Sequence, residues 1–319
     1  MSIDVTFLIA AFNAEETIAR AIGSALAQEG VDAEVIVVDD CSSDSTATIV
    51  EAFPDERVRV IRLGHNRGPG GARNAGLDAA RGRWIAVLDA DDTIRPDRMT
   101  RLLRRAAETG SEIVVDNLEV VDEAAGTTTP MFAIERLQAM PEMTLADFIA
   151  GNLLFEGKFS LGYMKPVVRR DFLETHALRY VETIRIGEDY LLLASALAKG
   201  GCCTVEPEPF YGYHVRPGSI SRVLELRHVE TMLEADKAFL RDHTLDAAAC
   251  RAQKRRTRNL RKAASYLSLV GHLKDHAALK AAATAIRDPA AVQLLGMPIS
   301  VRLRRVVRPF RQAGRAAAE

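Results

Sequence analysis

The first 120 residues repeat one unit: a short apolar, β-rich run, a polar cluster, then a stretch with helical spacing. Val5–Ala10 reads as a strand. Glu15–Gln28 follows as a helix with Ile18, Ile22, Ala25 and Leu26 on one face. Glu34–Val38 is a second strand, and its unbroken apolar character is that of a strand covered on both faces. Asp44–Phe53 reads as a helix stopped by Pro54, Arg57–Arg62 as a strand, and Ala72–Ala80 as a small-residue helix ended by Gly82. Trp84–Leu88 is a fourth strand. Pro96–Thr109 is a helix with proline at its first position and Gly110 just past its end, and Glu112–Asp116 is a fifth strand. Repeated βα units predict an α/β fold with a mostly parallel sheet flanked by helices.

The pattern then dissolves. Ala124–Pro130 reads as a loop by composition. Helical spacing returns at Thr144–Ile149 and Glu188–Lys199, with strand-like runs at Cys202–Val205 and Phe210–Val215. Beyond Arg222 the chain reads helical. Charge changes at the same place: residues 222–319 carry 20 basic and 9 acidic side chains, residues 1–221 carry 22 and 34. An acidic first part suits a divalent cation, and a basic end suits an anionic surface. Near-neutrality overall and the lack of a stacking motif argue against nucleic acid as a partner. No apolar run approaches the roughly 20 residues that span a bilayer. The first residues also lack a basic signal-peptide region, so a cytoplasmic location is expected. Cys41, Cys202, Cys203 and Cys250 have neither disulfide-framework nor zinc spacing and read as reduced, mostly buried thiols.

In open α/β sheets ligands bind beyond the carboxyl ends of the strands. The polar clusters fall there: Ala11-Phe12-Asn13, Asp39-Asp40-Cys41-Ser42-Ser43-Asp44, Asn66-Arg67-Gly68-Pro69-Gly70-Gly71-Ala72-Arg73-Asn74, and Asp89-Ala90-Asp91-Asp92. Asp44 reads as a helix cap. Paired carboxylates beside an apolar strand repel one another unless a cation joins them, and hard oxygen ligands suit Mg²⁺ or Mn²⁺. Such an ion can neutralise a diphosphate leaving group. The glycine-rich run lacks the spacing of a P-loop or of a dinucleotide fingerprint. It reads instead as tight turns beside Arg67 and Arg73, each arginine contacting phosphate or pairing with a carboxylate.

Taken in order, VTFLIAAFN, EVIVVDDCSSDST, NRGPGGARNAG and WIAVLDADD resemble the nucleotide-diphosphosugar glycosyltransferases of family 2, which have the GT-A fold. The segments Gly187-Glu188-Asp189-Tyr190 and Tyr211–Ser221 resemble that family's acceptor-side motifs, so the likeness spans residues 1–221. The first ninety residues are most similar to bacterial exopolysaccharide enzymes of the succinoglycan-assembly kind. The resemblance implies a catalytic domain over 1–221, with a nucleotide-binding half to 120 and an acceptor half from 121, followed by a basic helical region over 222–319.

It also implies roles. Ala11, Phe12 and Asn13 would line the donor, Phe12 near a uracil ring. Asp40, with Asp39 beside it, would accept from uracil N3–H. Asp89 would approach the ribose or sugar, and Asp91 with Asp92 would hold the metal. Arg67 or Arg73 would reach the phosphates, and Arg216 and Ser219 would close over the diphosphate. Asp189 would be the general base of an inverting transfer, assisted by Glu188. His214 is open to three readings: metal ligand, diphosphate contact or satisfied strand histidine, the last favoured. Trp84 reads as core rather than sugar-stacking.

The implied activity is transfer of a hexose, glucose from UDP-glucose foremost, onto a lipid-diphosphate-linked saccharide. The basic end would rest on an anionic membrane, through Arg251, Lys254, Arg255, Arg256, Arg258, Arg261 and Lys262 and through the six arginines of Val301–Arg315. That makes the protein peripheral at the inner face of the cell membrane. Two rivals are a nucleotidyltransferase, whose basic glycine-rich loop after strand one is missing here, and a non-catalytic nucleotide-sugar-binding scaffold.

Overall fold

The computed structural model describes residues 3–215 and 224–296. Nine strands form one sheet in the order β3-β2-β1-β4-β8-β6-β9-β5, with β7 paired to β6 off this path. The strands are β1 Val5–Ala11, β2 Ala33–Asp39, β3 Val58–Arg62, β4 Trp84–Val87, β5 Thr93–Ile94, β6 Ile113–Asp122, β7 Thr127–Pro130, β8 Val167–Arg169 and β9 Cys203–His214. Between them run α1 Ile18–Leu26, α2 Thr46–Glu51, α3 Gly68–Ala79, α4 Arg98–Thr109, α5 Ile134–Gln138, α6 Leu145–Ala150, α7 Arg170–Thr175 and α8 Glu188–Ala198. After β9 come α9 Leu226–Asp242, α10 Ala247–Lys274 and α11 Ala278–Arg287.

The first half follows the sequence reading. β1 pairs in parallel with β2 and β4, and β2 with β3. Every residue of β2 is buried, as expected when successive side chains point to opposite, covered faces. Trp84 lies in the core. The second half is less parallel than expected: β8 runs antiparallel to both β4 and β6, while β6 and β9 are parallel. The reversed β8 matters for the site. Its amino end lies at the carboxyl edge of β4, so the residues just before Val167 reach the acidic cluster.

Three local readings need correction. The stretch 121–130 is a hairpin, not a loop: Gly126 takes a left-handed turn (φ +62°) and the β-branched Thr127–Thr129 pair back onto β6. Cys202–Val205 and Phe210–Val215 belong to one strand, β9, whose register against β6 shifts around Pro207 and Pro209. Proline has no N–H to give to a ladder. The buried Asn117 amide instead donates to the carbonyls of Phe132 (2.9 Å) and Pro207 (3.1 Å). Finally, α4 starts at Arg98 rather than Pro96, and Gly110 is its left-handed cap as expected. Among the cysteines only Cys203 is buried; Cys41 is exposed, with left-handed backbone at the end of β2.

Two buried carboxylates knit the layers. Asp116 on β6 pairs with Arg98 on α4 at 2.7 Å, both side chains fully enclosed, and Arg98 also donates to the Lys165 carbonyl at 2.9 Å. Glu34 on β2 accepts from the Thr6 hydroxyl (2.7 Å), the Arg81 amide (2.7 Å) and the Arg81 guanidinium (2.8 Å). Arg59 adds a further contact at 3.1 Å. β1, β2, β3 and the turn into β4 are thereby joined through one side chain.

Burial pushes the Glu34 carboxyl up, but its Thr6 and Arg81 hydrogen bonds outweigh burial and hold it below the ordinary range. A depressed carboxyl stabilises fully above its unfolded pKa of about 4.3, and that contribution is lost as pH falls through the lower folded value. Glu34→Gln should therefore cost about 1–3 kcal/mol at pH 7 and much less at pH 3. Urea unfolding of both proteins at the two pH values checks this; an equal cost at both would show that the charge is not involved.

Candidate active site

Parallel pairing brings the ends of β1 and β2 side by side, and their loops are stitched together. The Asn13 amide donates to Ser42 Oγ (2.9 Å), and the Ser43 amide donates to Asn13 Oδ1 (2.9 Å). The Glu15 amide donates to Asp44 Oδ2 (3.1 Å) and the Ser45 amide to Glu15 Oε2 (2.9 Å). Asp44 Oδ1 also accepts from the Thr46 amide at the start of α2 (3.0 Å), although the residue at the cap position is Ser45 rather than Asp44. Asn13 takes left-handed backbone, a conformation asparagine tolerates. Phe12 is left 49% exposed beside this stitched edge, whereas Ala11 is buried.

Asp40 organises the next element. Its Oδ1 accepts from the Arg67 amide (2.6 Å) and its Oδ2 from the Gly68 amide (2.8 Å). These are free amides at the start of α3. Burial raises the Asp40 carboxyl above its ordinary value against these two bonds. Asp39 is buried, and its Oδ1 has no hydrogen-bond partner among the described residues. The glycine-rich run is helical rather than a series of turns. Only Gly68 needs positive φ (+78°), and Gly76 lets α3 approach β1, since a Cβ there would lie 1.9 Å from Leu8 Cδ1.

Both arginines of that run take carboxylate partners. Arg67 pairs with Glu182 at 2.6 Å. Arg73 is buried: its Nη2 donates to Asp89 Oδ1 (2.8 Å), and its Nη1 donates to Glu188 Oε1 (2.8 Å) and Asp189 Oδ1 (2.9 Å). Phosphate contact by Arg73 is thus replaced by contact with the acidic residues, because three carboxylates surround a fork that water does not reach. The Lys165 ammonium lies between the remaining oxygens, 2.7 Å from Asp89 Oδ2 and 3.2 Å from Asp189 Oδ2. Asp89, Arg73, Asp189 and Lys165 close a ring of alternating charge. Burial pushes the Asp89 carboxyl up, but Lys165 and Arg73 prevail and hold it at about 2. Burial and the adjacent Asp189 charge push the Glu188 carboxyl up despite Arg73. Glu188 and Asp189 follow Gly187 (φ +94°) in the first turn of α8, where the helix dipole favours negative charge.

The Asp89-Ala90-Asp91-Asp92 cluster divides. Asp92 is not placed as a metal ligand. It is buried, accepts from the Tyr211 hydroxyl (2.8 Å) and the His214 amide (2.9 Å), and its carboxyl is pushed well up by burial and by the Asp89 and Asp91 charges. Tyr211 in turn accepts from the Asp89 amide at 3.0 Å. His214 is the satisfied strand histidine: its ring nitrogens meet Thr93 Oγ1 (2.9 Å) and Glu123 Oε1 (2.8 Å), and burial lowers its pKa. Asp91 is half-buried, and Arg20 donates to its carbonyl at 3.0 Å. Among the described residues no three His, Cys, Asp or Glu side chains converge as a metal-binding group. Arg216 and Ser219 lie outside the described residues.

Sequence reasoning missed Lys165, Tyr211, Glu182, Glu123 and Arg20. Only Tyr211 lay in a segment singled out beforehand. The others lack a local pattern and join the site through partners distant in the chain: Arg20 through Glu123 and Asp91, Glu182 through Arg67, and Lys165 through Asp89 and Asp189.

Comparisons with known proteins place the chain in a family and a fold. Residues 6–172 match the family model described as Glycosyl transferase family 2. The chain is 56% identical over 307 residues to the succinoglycan biosynthesis protein ExoO of Rhizobium meliloti (strain 1021), covering 96% of this chain and 88% of that one. A shorter stretch of 88 residues is 42% identical to the UDP-Glc:alpha-D-GlcNAc-diphosphoundecaprenol beta-1,3-glucosyltransferase WfaP of Escherichia coli, covering 28% of this chain and 35% of that one. Among solved structures, TarS (residues 1–349) of S. aureus in complex with UDP-GlcNAc superposes with a TM-score of 0.61 at 23% identity, over 77% of this chain and 68% of that one. The fold is GT-A.

Arg73→Met should destabilise the protein by about 3–5 kcal/mol, because it strands buried carboxylates without their cation. Urea unfolding at pH 7 measures it; a cost below about 1 kcal/mol, the scale of an exposed pair, would show that the ring is not a buried unit.

Proposed function

The chain belongs to glycosyl transferase family 2, and from that premise we propose that it is an inverting hexosyltransferase. It moves glucose from UDP-glucose onto a lipid-diphosphate-linked saccharide in exopolysaccharide assembly. The observation that carries this reading is the ring itself. It holds a donor-side carboxylate, Asp89 at the end of β4, one cation away from an acceptor-side carboxylate, Asp189 on α8. In the transfer, the acceptor hydroxyl oxygen bonds to the anomeric carbon while Asp189 takes its proton, and the diphosphate leaves from the opposite face with the bonding pair. Glu188 orients this arrangement through Arg73 rather than reaching the acceptor.

The donor reading draws on the β1–β2 edge. Phe12 offers an exposed ring, Asp40 is braced by two amides, and the unpartnered Asp39 Oδ1 is an acceptor beside them. A divalent cation, Mg²⁺ or Mn²⁺, would be held by Asp91 with diphosphate oxygens and would neutralise the leaving group. The pathway and acceptor follow the named relatives, ExoO for succinoglycan and WfaP for a diphosphoundecaprenol acceptor.

For the membrane, α11 leaves Leu279 88% and Ile286 81% exposed, two turns apart on one side of the helix, with Lys280 and Arg287 beside them. Such a helix suits an anionic lipid surface. Arg256 does not contribute, because it is buried in the protein. The arginines of Val301–Arg315 lie outside the described residues. No helix among the described residues is long and apolar enough to cross a membrane.

UDP at about a hundredfold excess over its Kd should stabilise the protein by about 2.7 kcal/mol, and a chelator should abolish most of that. Asp189→Asn should keep UDP binding and lose transfer by about 10²–10⁴-fold; normal transfer by this variant would favour the scaffold reading. In vesicle flotation, the protein should rise with phosphatidylglycerol and stay down with phosphatidylcholine. L279E/I286E should weaken that binding; unaltered flotation would remove α11 from the membrane contact.

A further inference from the structure

Two-point anchoring of Asp189 is unequal in its origins. Arg73 holds Oδ1 and is itself fixed by two other carboxylates. Holding one oxygen does not fix a carboxylate, since the terminal torsion of aspartate is broad. Lys165 supplies the second point at Oδ2 and ties it to Asp89 Oδ2. No other cationic side chain among the described residues is recorded within ion-pair distance of either Oδ2.

The lysine is itself well held. Its carbonyl accepts from the buried Arg98, it directly precedes the proline that leads into β8, and its side chain is buried. A carboxylate oxygen has two lone pairs, so Oδ2 can keep the lysine contact on one and present the other to a hydroxyl.

We infer that Lys165 is a positioning residue for the transfer: its ammonium sets the orientation of the Asp189 carboxylate and fixes that carboxylate relative to Asp89. The inference rests on the reading of Asp189 as the base and adds a residue to it. Asp89 orients the donor and Asp189 receives the proton, so a cation bonded to both transmits the donor's position to the base. Removing it leaves both groups in place, each hinged on Arg73 alone. The loss therefore falls on alignment at the reacting carbon rather than on affinity for the nucleotide.

The test compares wild type, Lys165→Met, Lys165→Gln and Asp189→Asn as full chains. Circular dichroism and melting check folding, calorimetry with UDP measures nucleotide binding, and UDP release from UDP-glucose with water as acceptor gives kcat and KM. Lys165→Met should bind UDP as wild type, keep KM and lose kcat by about a hundredfold, the scale of a misplaced reacting group. Lys165→Gln, which offers two N–H donors without charge, should fall between the two. Wild-type kcat in folded Lys165→Met overturns the inference. So does a rise in KM at unchanged kcat, which would make the lysine a donor contact instead. If Lys165→Met does not fold, Lys165→Gln decides by the same split. Full activity in Asp189→Asn would bring down the base assignment and the inference together, whereas an inactive Asp189→Asn beside an active Lys165→Met sinks the inference alone. Should the wild type release diphosphate from GDP-mannose or UDP-GlcNAc but not from UDP-glucose, the donor reading fails and the comparison is made on that sugar nucleotide.

Discussion

Burying the Arg73 guanidinium is the constraint from which the rest of the site follows. A charge taken out of water costs several kcal/mol unless it is paired and hydrogen-bonded. Arg73 meets that demand through its two Nη atoms, with Asp89 from the end of β4 and with Glu188 and Asp189 from the start of α8, while its Nε has no hydrogen-bond partner among the described residues. Three carboxylates around one cation would leave a net negative cluster, and Lys165 from before β8 reduces it. Four segments distant in the chain are thus drawn to one point by charge balance. Asn74, next to Arg73, exchanges hydrogen bonds with the Tyr180 backbone (2.9 and 3.0 Å). Glu182 meets Arg67 and Asn74. The chain leading into α8 is therefore fastened to α3 along its length, and Asp189 is delivered by a fixed segment rather than a free loop.

The C-terminal helices brace the same element from the other side. Tyr190, directly after Asp189, stacks on Phe148 of α6 and lies under the Arg256 guanidinium, 3.7 Å from the ring centroid. Arg256 pairs with the buried Asp236 at 2.9 Å and donates to the Asn152 carbonyl at 2.7 Å. Val229, Met232, Leu260 and Ala263 form a small core of their own, with Leu154 and Ile186 packed against it. Ile186 lies three residues before Asp189. The basic stretch of α10 therefore has two kinds of arginine. Arg256 holds α8, whereas its exposed neighbour Arg255 pairs with Glu156 at 2.6 Å and Arg258 is exposed.

What was legible in the sequence had a local signature. The strand-then-acid runs announced Asp40 and Asp89, because a buried parallel strand must end where its first polar residues meet water. Asp189 was legible only in the company of the other motifs; by itself it is an acid in the first turn of a helix. The glycine-rich run was misread as turns, since glycine is a poor helix former. What the run achieves is closeness, with Gly76 against Leu8 and Gly71 against Arg67, and closeness depends on a neighbour that spacing does not show. Lys165 was invisible for the same reason. A lone lysine between methionine and proline has no pattern, and its role arises from the reversed direction of β8. Arg256 looked like one more basic residue in a basic helix; only tertiary packing separates it from the rest.

The Asp89-Ala90-Asp91-Asp92 cluster shows how three acids in four adjacent residues escape mutual repulsion without requiring that every acid meet a metal. Asp89 is neutralised by the ring. Asp92 turns inward, its carboxyl pushed up by burial, and joins β9 through Tyr211 and the His214 amide. Asp91 stays half-buried between them. The division is enforced by β9: the Tyr211 hydroxyl bonds both Asp92 and the Asp89 amide, so the strand fixes the backbone from which the Asp89 carboxylate springs. β9 runs alongside β6 up to His214, and His214 reaches back through Glu123 to Arg20, which holds the Asp91 carbonyl. The acids at the end of β4 are thus set by the far half of the sheet. A substitution at Glu123 or in the β6–β7 hairpin would disturb their geometry without touching a residue of the recognisable motifs.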